Sequence, residues 1–288
     1  MTTKIALRAT TVLRYDDCPR SYWYQYVQGI QPAAASANLV FGTAVHNACT
    51  GWLKAQAEGR AFDPVTAFLD TWEQATTTRT IAYTSKLGPD DLQAMGEALV
   101  RQFPAAWTAT GLVPLIGPDG QPLIETRFEA DLGPDLILSG SPDVVAMDAE
   151  GNIVIPDLKT ASQSATEGFT SVADQLTSYQ VLLEAHAEAL GIERVHALGF
   201  LEFLKRKPNG RTGPTIQPLV LAPARSAEAL AEFRQKLLWL AEDLARGRFP
   251  KRPRMAWNSL CGFCDFAGLC QRGDWDGLIK PSVADSVL

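Results

Sequence analysis

Two aspartates and a lysine are placed by the sequence to meet at one end of a β-hairpin. Residues 148–152, Asp-Ala-Glu-Gly-Asn, have the composition of a tight turn, and short apolar strands flank it. If the chain folds back at Glu150, Asp143 lies opposite Asp157 across an antiparallel pair, and strand alternation puts Lys159 on the face of Asp157. Burying these charged groups is costly unless they pair or hold a metal ion, so a buried arrangement would be an ionic or metal site. The alternative is a surface hairpin with a solvated Asp-x-Lys.

A second group of reactive side chains is the run Cys261-x2-Cys264-x5-Cys270. Three thiolates this close along a chain seldom serve packing alone, and a tetrahedral site or a cubane cluster needs a fourth ligand. Cys49 falls on the apolar stripe of a predicted helix, where a thiol packs well, whereas Cys18 sits at a Cys-Pro break between helices. We therefore predict Cys18 as the fourth ligand. Four thiolates suit both zinc and a [4Fe–4S] cluster, and the spacing alone slightly favours zinc as the commoner structural metal.

The composition is that of a soluble globular protein. The chain has 288 residues, 46% of them hydrophobic and 20% charged, which allows one large domain or two ordinary ones. No apolar run is long enough to span a bilayer and the first residues lack an apolar signal core, so we expect a cytoplasmic protein without a membrane partner. The net charge of −6 means that any nucleic-acid binding must use local basic patches. An odd count of five cysteines without an export signal indicates metal binding or reactivity before disulfides.

The hydrophobic pattern predicts helices on both sides of these strands. Thr10 and Thr11 are predicted N-caps of a first helix, Pro19 opens a second, residues 33–38 form a linker, and a helix follows at residues 41–57. Further helices are predicted at residues 63–79, 89–108, 172–190 and 226–246, and strands at residues 123–132, 136–139, 197–204 and 215–221.

Two residues near the aspartates leave alternatives open. Pro156 precedes Asp157 and cannot donate to a strand ladder, so the strand is an edge or is locally distorted there. Glu125 is either an additional acidic member of the site or part of the solvated face of its alternating strand.

The motifs together resemble the RecB-type branch of the PD-(D/E)XK nuclease superfamily. Over residues 10–270 they appear in the order Gly42-Thr43-x-x-His46, Gly140-x-x-Asp143, Asp157-x-Lys159-Thr160 and Gln175-x-x-x-Tyr179. Cys18-Pro19 with the three later cysteines is similar to the iron–sulfur version of that branch, which includes CRISPR-associated RecB-like exonucleases and the nuclease domain of AddB-type helicase–nucleases. Each motif alone is weak, but five in this order make a specific pattern.

The resemblance implies a fold and a domain layout. The fold would be α/β and restriction-endonuclease-like, with a mixed central sheet flanked by helices. Residues 1–288 would form a single nuclease domain, with a helical insertion at residues 58–112, a cysteine segment at residues 255–272 that closes with Cys18, and a tail at residues 273–288.

The resemblance also implies roles for individual residues. The ligands of Mg²⁺ or Mn²⁺ would be His46, Asp143, Asp157 and the carbonyl of Leu158. Lys159 would position or help deprotonate the attacking water, while Gln175 and Tyr179 would brace the site and touch the nucleic acid. The cysteines that would hold a [4Fe–4S] cluster, rather than zinc, are Cys18, Cys261, Cys264 and Cys270.

The expected function is therefore metal-dependent exonuclease action on DNA, either single-stranded or at duplex ends. The expected setting is recombination, repair, phage DNA processing or CRISPR adaptation, with recombination or CRISPR proteins as partners. The alternatives are a non-catalytic DNA-end-binding module of the same fold and a zinc-stapled structural protein. DNA contacts are predicted from two basic clusters, solvated loops being the alternative: Lys205, Arg206, Lys207 and Arg211 in the first, and Arg246, Arg248, Lys251, Arg252 and Arg254 in the second.

Overall fold

The chain folds into a mixed α/β structure. The computed structural model describes residues 4–133, 135–253 and 259–280. The strands are β1 (Ile5–Arg8), β2 (Gln31–Pro32), β3 (Ala35–Ser36), β4 (Ile81–Ala82), β5 (Val113–Pro114), β6 (Phe128–Gly133), β7 (Leu136–Gly140), β8 (Ala146–Met147), β9 (Ile153–Ala161), β10 (Ala197–Leu204), β11 (Thr215–Ile216), β12 (Val220–Pro223) and β13 (Leu278–Ile279). The α-helices are α1 (Ala9–Asp17), α2 (Pro19–Tyr22), α3 (Ala37–Ala57), α4 (Pro64–Thr78), α5 (Pro89–Thr108), α6 (Phe169–Val172), α7 (Asp174–Glu184), α8 (Ala187–Leu190), α9 (Ala227–Ala245) and α10 (Ala267–Arg272). A π-helical turn at Trp23–Val27 continues α2, and a 3₁₀ turn spans Leu260–Phe263. The predicted fold class is confirmed.

The central sheet has the strand order β11-β10-β9-β8-β5, with β12 also paired to β10. Strand β10 pairs in parallel with β9 along the whole length of β10, while β8 pairs antiparallel with β9. The register pairs Ala146 with Val154 and Met147 with Ile153, as expected for a chain that folds back at Glu150. A second sheet has the order β1-β7-β6, with β1 parallel to β7.

Helices cover both faces of the sheets and enclose two apolar cores. Because side chains alternate along β9, Ile153 and Ile155 pack into one core, with α1, α7 and α9. Val154 and Leu158 pack into the other core, with α3, α4 and α5. The end of β9 is therefore reached by helices from both sides.

Several element boundaries differ from the predictions. Helix α3 begins at Ala37, so the last two residues of the predicted linker, Ala37 and Asn38, are helical. Helix α1 begins at Ala9, earlier than predicted, so its N-cap is Arg8 and neither Thr10 nor Thr11. The Thr11 hydroxyl lies in the first turn and accepts from the backbone N–H of Arg8. The strand predicted at residues 123–132 is regular only from β6 onward, because Glu125 has a left-handed φ of 55°.

The long helix predicted at residues 172–190 is divided into α6, α7 and α8, with extended backbone at Ala173 between the first two. By contrast, α4, α5 and α9 match their predictions closely. The predicted starts of α4 and α9 are supported by Asp63, which accepts from two backbone N–H groups, and by Ser226, which accepts from one.

Parts of the predicted cysteine segment and tail, residues 255–258 and 281–288, lie outside the described residues, and the division into insertion, segment and tail stays a prediction. Among the helices that the structure describes, none combines the length and apolar character needed to cross a membrane.

Candidate active site

The position of Asp143 is set by an interruption in strand pairing. Strand β8 pairs with β9 only as far as Val154, so beyond that point β9 has a strand partner on the β10 side alone. Pro156 lacks an N–H group, and it lies where β9 has no strand partner on this side. Of the two alternatives raised by the sequence, β9 is therefore a local edge at this point. Leu158 supplies the next N–H on that side, and it donates to Asp143 Oδ2 at 2.7 Å. A backbone donor thus fixes one oxygen of this carboxylate.

Asp157 is a buried carboxylate with an incomplete set of partners. Its side chain is 1% exposed, and Oδ1 accepts from Gln175 Nε2 at 2.8 Å. Oδ2 has no hydrogen-bond partner; the Lys159 ammonium lies 3.4 Å away and donates to Gln175 Oε1 at 2.6 Å. Gln175 Nε2 also lies 3.0 Å from the hydroxyl oxygen of Tyr179, one turn along α7. Gln175 therefore holds the aspartate and the lysine at once.

His46 approaches the same carboxylates from α3. Its Nε2 lies 2.9 Å from Asp143 Oδ1, and its Nδ1 lies 3.3 Å from Glu125 Oε1. Lys54, two helical turns after His46, donates to Glu125 Oε2 at 2.7 Å. Glu125 therefore contacts His46 at the site and is not part of a solvated strand face. Among the described residues it is the one non-glycine residue with positive φ, a strained conformation that is common at functional sites.

The pKa values of Asp157, His46 and Tyr179 are raised above their ordinary values. Burial, followed by repulsion from Asp143, raises the pKa of Asp157 to about 7, against the opposing effect of Lys159 and His46. Burial disfavours protonation of His46, but the hydrogen bond and charge of Asp143, with the charge of Glu125, leave its pKa above the ordinary value. Burial and the nearby Asp157 raise the pKa of Tyr179, so its hydroxyl stays protonated. The site holds excess negative charge that a cation would relieve.

Two motif glycines allow the helices to approach the strands. A Cβ on Gly42 would lie 3.2 Å from Thr160 Oγ1 at the end of β9, and a Cβ on Gly140 would lie 2.9 Å from Leu182 Cδ1 of α7. The first contact keeps α3 close enough to present His46, and the second keeps α7 close enough to present Gln175.

An open cavity of about 350 Å³ joins these groups; its walls include His46, Asp143, Asp157, Leu158, Lys159 and Gln175. Within the described residues no three His, Cys, Asp or Glu side chains already form a metal-holding group, and His46 and Asp143 contact each other instead. The donor types nevertheless suit a hard divalent ion: they are an imidazole and two carboxylates, one of which has a buried Oδ2 without a hydrogen-bond partner.

A separate cavity of about 120 Å³ is lined by four of the five cysteines: Cys18, Cys261, Cys264 and Cys270. Cys49 is buried in α3 and does not line it. Burial is the main cause that raises the pKa of the Cys264 thiol, and the nearby Cys18 adds to it. The four cysteines singled out by the sequence thus face one mostly apolar space, although no three of them are placed as ligands of a common ion in this part of the structure.

Most cations of the two basic clusters are engaged within the protein. Lys205 is 8% exposed and donates to Asn38 Oδ1 at 2.7 Å, so it does not belong to a solvated loop. The other pairings join Lys207 to Asp91, Arg246 to Glu242, Arg248 to Asp243, Lys251 to the carbonyl of Cys270 and Arg252 to the carbonyl of Asp16. Arg254 lies outside the described residues. Among those described, only Arg206 and Arg211 of the two clusters have side chains without a hydrogen-bond or ion-pair partner.

Sequence reasoning missed Lys54 and Asn38 and left Glu125 undecided. Lys54 lies on the side of α3 that carries His46, and this spacing could have indicated it. The sequence could not decide between the two alternatives for Glu125, because its backbone has a left-handed conformation that the strand pattern does not predict.

The fold and the site define a member of the PD-(D/E)XK nuclease superfamily, and the chain belongs to that family: the family model matches residues 7–271. A solved structure titled "Crystal structure of SSO0001" is 13% identical, with a TM-score of 0.42 over 94% of this chain and 88% of that chain. A search of curated proteins found no match. The superfamily resemblance is confirmed, while the RecB-type branch and its iron–sulfur version stay predictions.

Proposed function

We propose that this protein is a divalent-metal-dependent DNA exonuclease. The observation that carries the proposal is the buried Asp157, whose unpartnered Oδ2 faces Lys159 in the cavity that also holds Asp143 and His46. A buried carboxylate with a raised pKa and a missing partner is costly for stability, and such groups cluster at functional sites. Membership of the superfamily supports phosphodiester hydrolysis as the use of this arrangement.

The residues have separable roles in the proposed reaction. Asp143, Asp157, His46 and the carbonyl of Leu158 would hold Mg²⁺ or Mn²⁺, which would supply a Lewis acid that activates water and offsets charge on the phosphate. Lys159, restrained by Gln175, points its ammonium toward Asp157 and would orient the attacking water and stabilise the negative charge of the transition state. Tyr179 keeps its proton and braces Gln175.

The test is digestion of end-labelled single-stranded and duplex DNA with Mg²⁺, Mn²⁺ or EDTA. We expect degradation with either ion, and its loss in Asp157→Ala and Lys159→Ala. Matched controls are Asp70→Ala on α4 and Lys86→Ala before α5, both exposed and without side-chain partners among the described residues. A closed circular substrate separates the modes of attack, because an exonuclease leaves it intact. Full activity in both site variants would contradict the assignment.

The same digestion assay distinguishes the nuclease from a non-catalytic DNA-end-binding module. The observation in favour of that alternative is that His46 and Asp143 satisfy each other, so that no metal-holding group is preformed among the described residues. Tight DNA binding by a wild-type protein that leaves every substrate uncut with both ions would establish it.

We further propose that Cys18, Cys261, Cys264 and Cys270 hold a [4Fe–4S] cluster, with zinc as the alternative. Their shared cavity and its mostly apolar lining support this assignment. Protein purified without oxygen should contain iron and sulfide and show a broad visible absorbance that Cys270→Ser abolishes and Cys49→Ala retains. A colourless protein with one zinc ion per chain would favour the structural staple instead.

A further inference from the structure

We propose that a single strand of DNA lies in a groove that leads from the catalytic cavity past Leu39 to Arg79 and Arg14. We call it the Leu39 groove, and it deepens the proposed nuclease function by naming the path of the substrate. Neither basic cluster singled out by the sequence forms part of it.

The groove is a chain of three cavities with shared walls. The catalytic cavity of about 350 Å³ shares Leu39 and Thr43 with a second cavity of about 280 Å³ between α3 and α4. The second shares Leu39, Thr78 and Arg79 with a third cavity of about 610 Å³. Leu39 therefore borders all three, and a strand leaving the catalytic cavity has a continuous course across the surface.

The lining favours a single strand over a duplex. Leu39 is 68% exposed although it is a large apolar residue, and it stands where the cavities meet. Faces of unpaired bases can cover such a side chain, whereas in a duplex those faces are stacked on each other. The middle section is otherwise bordered mainly by short side chains, including Ala35, Thr71 and Ala75, which let a backbone approach closely.

Charge along the groove suits a polyanion. Lys159 stands at the catalytic end, and Arg14 and Arg79 stand in the third cavity. Neither arginine side chain has a hydrogen-bond or ion-pair partner among the described residues, unlike most cations of the two basic clusters, although the charge of Arg14 also acts to lower the pKa of the Cys264 thiol, which burial raises. Apart from the catalytic aspartates, the described residues that line these three cavities include one carboxylate, Asp265, which borders the third. In a protein with a net charge of −6, such a stretch provides local attraction for phosphates.

An unsatisfied amide in the third cavity is an independent indication of a ligand. Gln25 borders this cavity, and its Oε1 is buried without a hydrogen-bond donor in the described structure. Gln25 belongs to the π-helical turn after α2, a distortion that often occurs at functional sites.

The test measures binding of oligothymidylate to protein carrying Asp157→Asn, in Ca²⁺, as a function of salt. The double variant Arg14→Ala/Arg79→Ala should weaken binding of a 20-mer about tenfold or more. It should also reduce the steepness of log affinity against log salt by about 1.4, because each single-strand phosphate contact contributes about 0.7 and two contacts are lost. The matched control is Arg194→Ala with Arg234→Ala, two exposed arginines without side-chain partners among the described residues. Arg79→Ala alone, with about half the effect on the slope, serves if the pair proves unstable.

Each outcome has a defined meaning. An unchanged slope in the Arg14 and Arg79 variants would overturn the groove, as would an equal loss of affinity for a blunt duplex, because a duplex would then share the site. Digestion by the wild-type protein with Mn²⁺ is measured in parallel. Cleavage with an unchanged slope contradicts only the groove, whereas the expected slope without cleavage supports the groove and contradicts the nuclease.

Discussion

Asp157→Asn should make the metal-free protein more stable at neutral pH while it abolishes the proposed activity. The wild-type carboxylate is buried and lacks a partner for Oδ2, and its pKa is raised from 3.8 to about 7. Asparagine keeps the oxygen that accepts from Gln175 and removes the charge. The substitution therefore removes a cost that the wild-type protein bears only when Asp157 is ionised.

The magnitude follows from the two pKa values. Between pH 4 and 7 the unfolded chain releases the Asp157 proton while the folded chain retains it, so the wild type loses stability as the pH rises. Each pH unit between the two pKa values corresponds to about 1.4 kcal/mol, which gives an upper limit of roughly 4 kcal/mol above pH 7. Asp157→Asn should match the wild type at pH 4 and exceed it by up to that amount at pH 8.

His46 adds to the pH dependence in the same direction. Its raised pKa contributes stability that is complete below pH 6.5 and lost as the pH rises through the folded-state value. The two contributions overlap only between about pH 6.5 and 7, so the stability lost between pH 4 and 6.5 belongs to Asp157.

The assay is urea unfolding at fixed pH values from 4 to 8, in EDTA, for the wild type, Asp157→Asn and the exposed-surface control Asp70→Asn. The control should show a difference from the wild type that changes little with pH. A pH-independent difference for Asp157→Asn, or a wild type that gains stability between pH 4 and 7, would refute the reasoning. Adding Mn²⁺ at pH 8 should stabilise the wild type and leave Asp157→Asn nearly unchanged.

Two further predictions concern packing and the environment of His46. Gly96→Ala should destabilise the protein by about 2 kcal/mol, because the added Cβ would lie 1.9 Å from Cζ of the buried Phe68. The measurement is the midpoint of urea unfolding. The control Gly213→Ala, whose Cβ would have no atom within 4 Å, should stay near the wild type. Glu125→Ala should weaken Mn²⁺ binding about tenfold to a hundredfold in calorimetric titration, because it removes the carboxylate beside His46 Nδ1; an affinity equal to that of the surface control Glu129→Ala would show that Glu125 does not position the ring.

The parts of the fold that the sequence could predict are those fixed by local chemistry. The turn at residues 148–152 sets the β8–β9 register, because its side chains and Gly151 favour a reversal at that point. Helix α4 begins where Asp63 and Pro64 provide a cap and a first-turn proline. These signals depend on residues that are close together in the sequence, so they do not depend on contacts with distant parts of the chain.

The parts that the sequence could not predict depend on distant contacts. Lys205 looks like a member of a basic loop, but a backbone bond to Ala161 extends the strand and buries it beside Phe41. DNA contact by the second basic cluster stays a prediction, but nothing in the sequence indicates that Arg248 pairs with Asp243 or that Arg252 donates to the carbonyl of Asp16 at the end of α1. The sequence does not show whether a charged side chain will form an ion pair or a hydrogen bond with a residue that is distant along the chain.

The two carboxylates of the site are held by different means, and this difference has a consequence. Asp143 is fixed by a backbone N–H that is available because pairing of β8 with β9 has ended, so substitutions of neighbouring side chains should leave that contact in place. Asp157 and Lys159 are instead both held by Gln175, and no backbone group takes over if that side chain is lost. Gln175 therefore couples the buried carboxylate to the lysine, and the geometry between those two groups depends on one residue of α7, whose approach in turn depends on Gly140.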